Sequence, residues 1–593
     1  MKNEIIGRIA QIRALMREEG LDAYYISGAN SHMSEYISEH WKTRRFATGF
    51  TGSYGEVVIT QDEAGLWTDT RYFLQAENEL SSTGIKMHKL RTLGAVPVPQ
   101  WLAENMPAGG RLGVDLFSLA VSSYHSFQQA LESKQVEIVA ASHILENVWH
   151  NRPPLPGNSV FELSESAAGE TRTSKFNRIL EKIAANGAET VILTALDDIA
   201  WTFNLRGSDI NYNPVFYSFA IISSHAKKLF VSPEALPAVL LHKLEAEGIE
   251  TLNYNDFYMS LNQLSGQKVY FDPDTTNMAV GEILQQKCAP VAGLSAATQL
   301  KAIKNSAELE GFRKAMRTDG AAMVCTIRWI TQQVGQQNIT EYDVSQKLSE
   351  YRKTGKGFRQ DSFAPIIGYK EHGAIVHFGV TRENALPVHP CGILLFDSGG
   401  QYETGTTDIT RTIAMGTATN QQKRDFTLVL KGMIALSTAV FPEGTKGIHI
   451  DMLARKFLWE NGLDYGHGTG HGIGHFLNVH EGPSAIRREY NPCGIEPGMV
   501  FSNEPGVYRS GQYGIRIENM MACIEKENTE FGRFLTFETL TLCPIDTALV
   551  VPEMLSEEEK EWLNRYHKNV REQLSGLLDA ETREFLEKLT EEI

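Results

Sequence analysis

Apolar residues at Ile5, Ile9, Ile12 and Met16 recur every three to four positions, which predicts an amphipathic helix over residues 5–19. Gly20 is placed to stop that helix, and the LDAYYIS run beginning at Leu21 reads as a buried strand. EVVIT (56–60) predicts a further strand, and GLWTDTRYFLQAENEL (65–80) a strand running into a helix. HNRPPLPGN (150–158) has prolines at 153, 154 and 156, which excludes both helix and central strand and marks a linker. The rhythm then restarts. KFNRILEKIAANGAETVILT (175–194) repeats helix, glycine and strand with Gly187 in the place of Gly20, and SFAIIS (218–223) and KKLFVSP follow. We expect two related α/β domains, 1–154 and 155–304, as a tandem repeat. The plainer reading is that any two α/β domains open in this way.

A third region, 305–593, begins where Asn305 and Glu308 have the spacing of a capping box. Leu309, Phe312, Met316, Met323 and Ile327 then continue one apolar stripe, so a long amphipathic helix is expected. Glycine-rich short strands follow. The last 40 or so residues, from SEEEKEWLNRYHKNV onward, read as a solvated, acidic helix pair, with an oligomer contact as the other option.

Composition narrows the class. With 593 residues, 42% hydrophobic and 22% charged, the chain reads as a well-packed protein of several domains, not a disordered or coiled-coil one. A net charge of −16 opposes nonspecific nucleic-acid binding. The six cysteines form no CxxC pair, and all lie beyond residue 287, which argues against a disulfide scaffold or a thiolate zinc site. The start is charged and amphipathic, not a secretory signal, and no apolar run approaches the roughly 18–20 residues that span a bilayer. We expect a cytoplasmic protein with no membrane partner.

Three segments carry candidate chemistry. In GILLFDSGGQYETGTTDITRT (392–412) an apolar strand runs into Asp397, glycines allow a turn, and a returning strand carries Asp408. Either aspartate alone reads as a turn residue bonding its own backbone. A bare charge on the end of an apolar strand, however, is costly unless paired or metal-bound. In YGHGTGHGIGHFLNVHEGP (465–483) glycine fills every even position from 466 to 474, and His467, Thr469, His471, Ile473 and His475 fill the odd ones. Each glycine costs a helix about 1 kcal/mol relative to alanine, so the alternation fits an extended segment with one face stripped for close approach. HExxH, GxGxxG and a P-loop lysine are absent. Histidines at 467, 471, 475 and 480 favour a ligand role over a purely structural one. In VFSNEPGVYRSGQYGIRIENM (500–520) a second hairpin carries Glu504, Arg516 and Glu518, and a surface Arg516–Glu518 ion pair is its bland reading. Together the segments offer four carboxylates and an imidazole. That hard, oxygen-rich set suits Mn²⁺, with cobalt, zinc or iron also able to bind, and its charge suits two ions bridged by carboxylates.

FDSG, GTTDITRT, GHGTGHGIGH, VHEGP, SNEPGVY and RIEN, in this order, resemble the metallopeptidases of the pita-bread (creatinase-like) fold. Within them the chain is most similar to the long, three-domain aminopeptidase P family. RFATGFTGSYGEVVIT, LWTDTRYFLQAE and ALDDIAWTFNLRGSDINYNPVFYSFAII resemble that form's two noncatalytic domains. The resemblance implies an α/β multidomain protein: two tandem creatinase-N-like α/β domains, then a pita-bread α+β catalytic domain. It implies hydrolysis between an N-terminal residue and a penultimate proline, through a hydroxide activated by two divalent ions. Asp397, Asp408 and Glu518 would hold one ion, and Asp408, His471, Glu504 and Glu518 the other. Glu504 would act as general base and then acid. His377 (in AIVHF) and His480 would donate to the scissile carbonyl, and His467 would seat the substrate beyond the cleaved bond. Arg516 would orient Glu518 and its neighbouring carboxylates, and His475 and His389 are left as structural. A homodimer is implied as well. The alternatives are a prolidase restricted to Xaa-Pro dipeptides, a nonhydrolytic binding protein of the same fold, and an acidic scaffold acting through its C-terminal helices.

Overall fold

The computed structural model describes residues 2–593. They form two compact units: residues up to Leu163 with Glu170–Thr298, and Ser164–Gly169 with Gln299–Ile593.

The first unit contains two six-stranded sheets. The helix Lys2–Glu18 buries Ile5, Ile9, Ile12 and Met16. Gly20 reverses the chain at φ +67° into the strand Ala23–Ile26. The helix Arg172–Ala184 buries Phe176, Ile179 and Ile183, Gly187 turns at φ +77°, and the strand Thr190–Leu193 follows. Only glycine adopts that left-handed conformation without strain, which is why both openings carry one. The repetition continues through the whole sheet. Ala23–Ile26 lies between Glu56–Thr60, antiparallel, and Arg111–Val114, parallel. Thr190–Leu193 likewise lies between Ser218–Ser223, antiparallel, and Lys268–Phe271, parallel. The outer strands repeat both order and sense: antiparallel then parallel on one side, parallel on the other. Six strands agreeing in order and direction go beyond a shared opening motif, so the tandem repeat is real. Its two halves are joined by buried polar contacts. His32 Nδ1 donates to the Thr194 carbonyl at 2.7 Å and Nε2 accepts from the Tyr254 hydroxyl at 2.9 Å.

In the second unit the helix Ser306–Gln333 starts at an Asn305–Glu308 capping box and buries Phe312, Met316, Met323 and Ile327. A three-stranded sheet places Ile393–Ser398 between Ile366–Tyr369 and Ile409–Ala414. A six-stranded sheet runs Phe441–Pro442, Gly532–Thr539, Asn519–Thr529, Val500–Asn503, Gly470–Gly472, Glu481–Ile486. The hairpin Gly506–Arg509 and Tyr513–Arg516 stands beside these sheets. The expected solvated tail is a correction. Helix Glu557–Leu574 buries Leu563, Tyr566, His567, Val570 and Leu574 in the same core as Val429, Met433 and Leu458 of the helices Asn420–Ser437 and Gly447–Trp459. Its exposed acidic residues dominate the composition, whereas its apolar stripe decides where it lies. All six cysteines are free, and no described helix is long and apolar enough to cross a membrane.

Candidate metal centre

Glycine makes the site buildable. A Cβ at Gly470 would lie 2.0 Å from the Ser502 carbonyl, and one at Gly472 would lie 2.3 Å from the Glu481 carbonyl. The bare face thus lets two backbones flank the strand Gly470–Gly472 and hold His471 between them. His471 Nδ1 donates to the Gly472 carbonyl at 2.9 Å, which leaves Nε2 as the nitrogen turned to the carboxylates. Nε2 lies 3.4 Å from Asp408 Oδ2 and 3.7 Å from Glu504 Oε1.

Asp397 sits on the Ile393–Ser398 strand opposite Thr410, and Asp408 just ahead of the Ile409–Ala414 strand. Glu504 follows the strand Val500–Asn503, and Glu518 lies between Arg516 and the strand beginning at Asn519. The two carboxylates expected on returning strands therefore project from strand ends, where the backbone can aim them into one pocket. Asp408, His471 and Glu518 each offer a ligand atom, all within 4.8 Å of one another. Asp408 and Glu518 are buried, and Glu504 lies at the pocket's more open side.

The electrostatics of this pocket call for cations. Burial pushes the Glu504 carboxyl up to about 8, with Arg516 opposing and Asp408 and Asp397 adding to the rise. Burial and the neighbours Asp408, Asp397 and Glu504 raise Glu518 well above the carboxylate range. Asp397 is raised by burial, pulled down by Arg516 and raised again by Asp408. Like charges in a dry pocket resist ionisation unless positive charge joins them. Arg516 provides one such charge, its Nη2 donating to Asp397 Oδ2 at 2.6 Å. The other oxygen, Asp397 Oδ1, is buried and accepts no hydrogen bond. An orphaned carboxylate oxygen, an imidazole nitrogen set among carboxylates and a cluster of hard donors fit divalent cations.

Arg516 does not pair with Glu518 directly. Its Nε donates to Thr410 Oγ1 at 3.1 Å, and that hydroxyl donates to Glu518 Oε2 at 2.7 Å. Arg516 Nη1 donates to the Tyr508 hydroxyl at 2.7 Å, and that hydroxyl donates to His467 Nε2 at 2.8 Å. His467 Nδ1 in turn donates to the Gly468 carbonyl at 2.8 Å, so both ring nitrogens are held in place. Thr410 and Tyr508 were missed by the sequence reading, although both lie within its motifs, because a hydroxyl carries no charge or spacing signal. Arg455 and Asp451 were missed for a different reason: they come from the separate helix Gly447–Trp459. Arg455 donates to the His467 carbonyl at 2.8 Å, and Asp451 accepts from Thr469 at 2.5 Å.

His480 is half-buried, its ring perpendicular to that of His471 with centroids 4.4 Å apart. His377 is half-buried in the turn after the 3₁₀ helix Lys370–Ala374. That helix is locked onto the Arg516 hairpin by glycine: a Cβ on Gly514 would lie 1.7 Å from the Gly373 carbonyl. His475 is buried beside Phe312, and His389 lends its carbonyl to the Tyr369 hydroxyl.

The family model for metallopeptidase family M24 matches residues 310–525, and one for the C-terminal region of this peptidase matches 533–593. Two models of the creatinase/prolidase N-terminal domain match 8–148 and 151–308. These matches define an M24 metallopeptidase with two creatinase-type N-terminal domains. A probable Xaa-Pro aminopeptidase P of Laccaria bicolor is 40% identical over 97% of this chain and 91% of its own. Aminopeptidase P2 of Arabidopsis thaliana is 37% identical over 97% and 86% respectively. The crystal structure of X-prolyl aminopeptidase from Caenorhabditis elegans, described as a cytosolic enzyme with a di-nuclear active site, superposes with a TM-score of 0.95. It is 31% identical over 99% of this chain and 100% of that one. The chain belongs to the Xaa-Pro aminopeptidase P family.

Proposed function

We propose that this chain is a metal-dependent aminopeptidase that cleaves the bond between an N-terminal residue and a penultimate proline. The observation that carries the proposal is the convergence of Asp408, His471 and Glu518 within 4.8 Å in a pocket also bordered by Asp397 and Glu504. Asp397, Asp408 and Glu518 would hold one divalent ion, and Asp408, His471, Glu504 and Glu518 the other; the oxygen-rich set favours Mn²⁺. When bound, the ions supply an acidified water as nucleophile and polarise the scissile carbonyl.

The remaining work falls to side chains. Glu504 takes the proton of the attacking water and returns it to the leaving nitrogen. His377 and His480 donate to the carbonyl oxygen as it gains charge, and His467 presents its ring to the substrate beyond the cleaved bond. Arg516 holds Asp397 directly and Glu518 through Thr410. An Xaa-Pro bond is a tertiary amide lacking the N–H that ordinary peptidases bind, so a dedicated pocket is required. The domain bounds 1–154, 155–304 and 305–593, a cytoplasmic location and a homodimer complete the proposal, supported by the family relationship.

Hydrolysis of Xaa-Pro, Xaa-Pro-Yaa and longer peptides tests it. Release of the N-terminal residue from tripeptides and longer substrates is expected. Turnover confined to the dipeptide contradicts the proposal in favour of a prolidase, and absence of any turnover favours a binding protein.

A further inference from the structure

The helix Glu557–Leu574 reaches the metal centre through one buried arginine. Arg411 lies three residues beyond Asp408 and is 1% exposed. Its Nη1 donates to the main-chain carbonyl of Glu518 at 2.6 Å and to that of Thr410 at 2.9 Å. The backbone of the expected ligand Glu518 and the backbone two residues beyond Asp408 are therefore tied to one guanidinium. Its other donors reach the carbonyls of Pro544 and Cys543 and Oδ1 of Asn519, the residue next to Glu518, each at 2.9 Å. The remaining partner is the hydroxyl of Tyr566, at 2.8 Å, on the helix Glu557–Leu574. That hydroxyl donates to the Cys543 carbonyl at 2.8 Å, and the neighbouring His567 accepts from Ile545 N at 3.1 Å. No carboxylate among the described residues pairs with Arg411, so its place is set wholly by these carbonyls, Asn519 and Tyr566.

We infer that Arg411 and Tyr566 are positioning residues of the metal centre, and that the helix Glu557–Leu574 is part of its frame. The inference rests on the proposed metal site. Tyr566 and the 543–545 segment fix the guanidinium. The guanidinium fixes the backbone of Thr410 and Glu518, and Thr410 Oγ1 fixes Glu518 Oε2. Partners one step removed from metal ligands typically change affinity by about 10- to 100-fold when removed.

Mn²⁺ titration of the metal-free full chain, read by calorimetry beside thermal melting, tests the inference. Tyr566→Phe keeps the ring, which stacks on Trp562, and removes only the hydroxyl. It is expected to weaken Mn²⁺ binding measurably, by less than the roughly 10- to 100-fold typical of a direct partner of a metal ligand. Leu563→Ala empties core on the same helix without touching Arg411 and is expected to lower the melting temperature with Mn²⁺ affinity unchanged. Equal affinity in Tyr566→Phe and wild type, or equal weakening in both variants, overturns the inference. Failure of the wild-type chain itself to bind Mn²⁺ overturns the metal reading instead.

Discussion

Asp397 is held from one side only: Arg516 bonds Oδ2 at 2.6 Å, while Oδ1 is buried without a donor. The same imbalance recurs in Glu504 and Glu518, whose carboxyls bind protons more tightly than in water because burial and like neighbours oppose ionisation. This fixes a sign. A carboxyl raised in the folded state stabilises the fold at low pH, and that stability is lost as pH rises towards the folded value. The metal-free protein should therefore lose stability between the ordinary carboxyl value of 4.5 and about 8, the value to which Glu504 is raised. Melting temperature against pH reads this directly, and saturating Mn²⁺ should remove most of the slope. Asp408→Asn takes away one of the crowded charges. It should stabilise the metal-free chain by about 1 kcal/mol while lowering kcat/KM more than about 100-fold, a trade seen by pairing melting curves with peptide assays. Of the charged residues of this site, Asp397 stood out in the sequence because a carboxylate on the end of an apolar strand needs a reason; the others were picked out by the motifs they sit in. The hydroxyls of Thr410 and Tyr508, which link Arg516 to Glu518 and His467, gave no such signal.

The strand Gly470–Gly472 is only three residues long, yet it carries His471 between two neighbouring backbones. The alternation of glycine and larger residues predicted this close approach. It did not show how abruptly the strand ends, because the pairing partners Ala485, Ile486 and Phe501 lie beyond the motif. The matched substitutions Gly470→Ala and Gly468→Ala separate crowding from composition. The first puts a Cβ 2.0 Å from the Ser502 carbonyl and should cost about 2 kcal/mol or more. The second meets Arg487 Cβ at an ordinary 3.4 Å and should change stability by no more than about 0.5 kcal/mol in denaturant melts. At this same scale the helix Glu557–Leu574 differs from the solvated one expected. Its acidic surface is visible in composition, but whether Leu563, Val570 and Leu574 meet a core depends on residues more than a hundred positions away.

The two units of the molecule do not divide at the start of the catalytic sequence. Ser164–Gly169 belongs with Gln299–Ile593, and Asn305 Nδ2 donates to the Ala168 carbonyl at 2.8 Å. Lys301 and Lys304, just ahead of the boundary expected at 305, both bond the buried carboxylate of Glu481, beside His480. A fragment of residues 305–593 strands that charge, which typically costs about 3–5 kcal/mol. A 299–593 fragment keeps both lysines and should melt at a clearly higher temperature. The central claim, a two-metal Xaa-Pro aminopeptidase, is tested most directly by counting metal and activity together. The full chain is stripped with a chelator, then titrated with Mn²⁺ while Xaa-Pro-Yaa hydrolysis is followed. The account predicts no hydrolysis in the stripped chain and full recovery at two Mn²⁺ per chain; hydrolysis that survives complete removal of metal would contradict it.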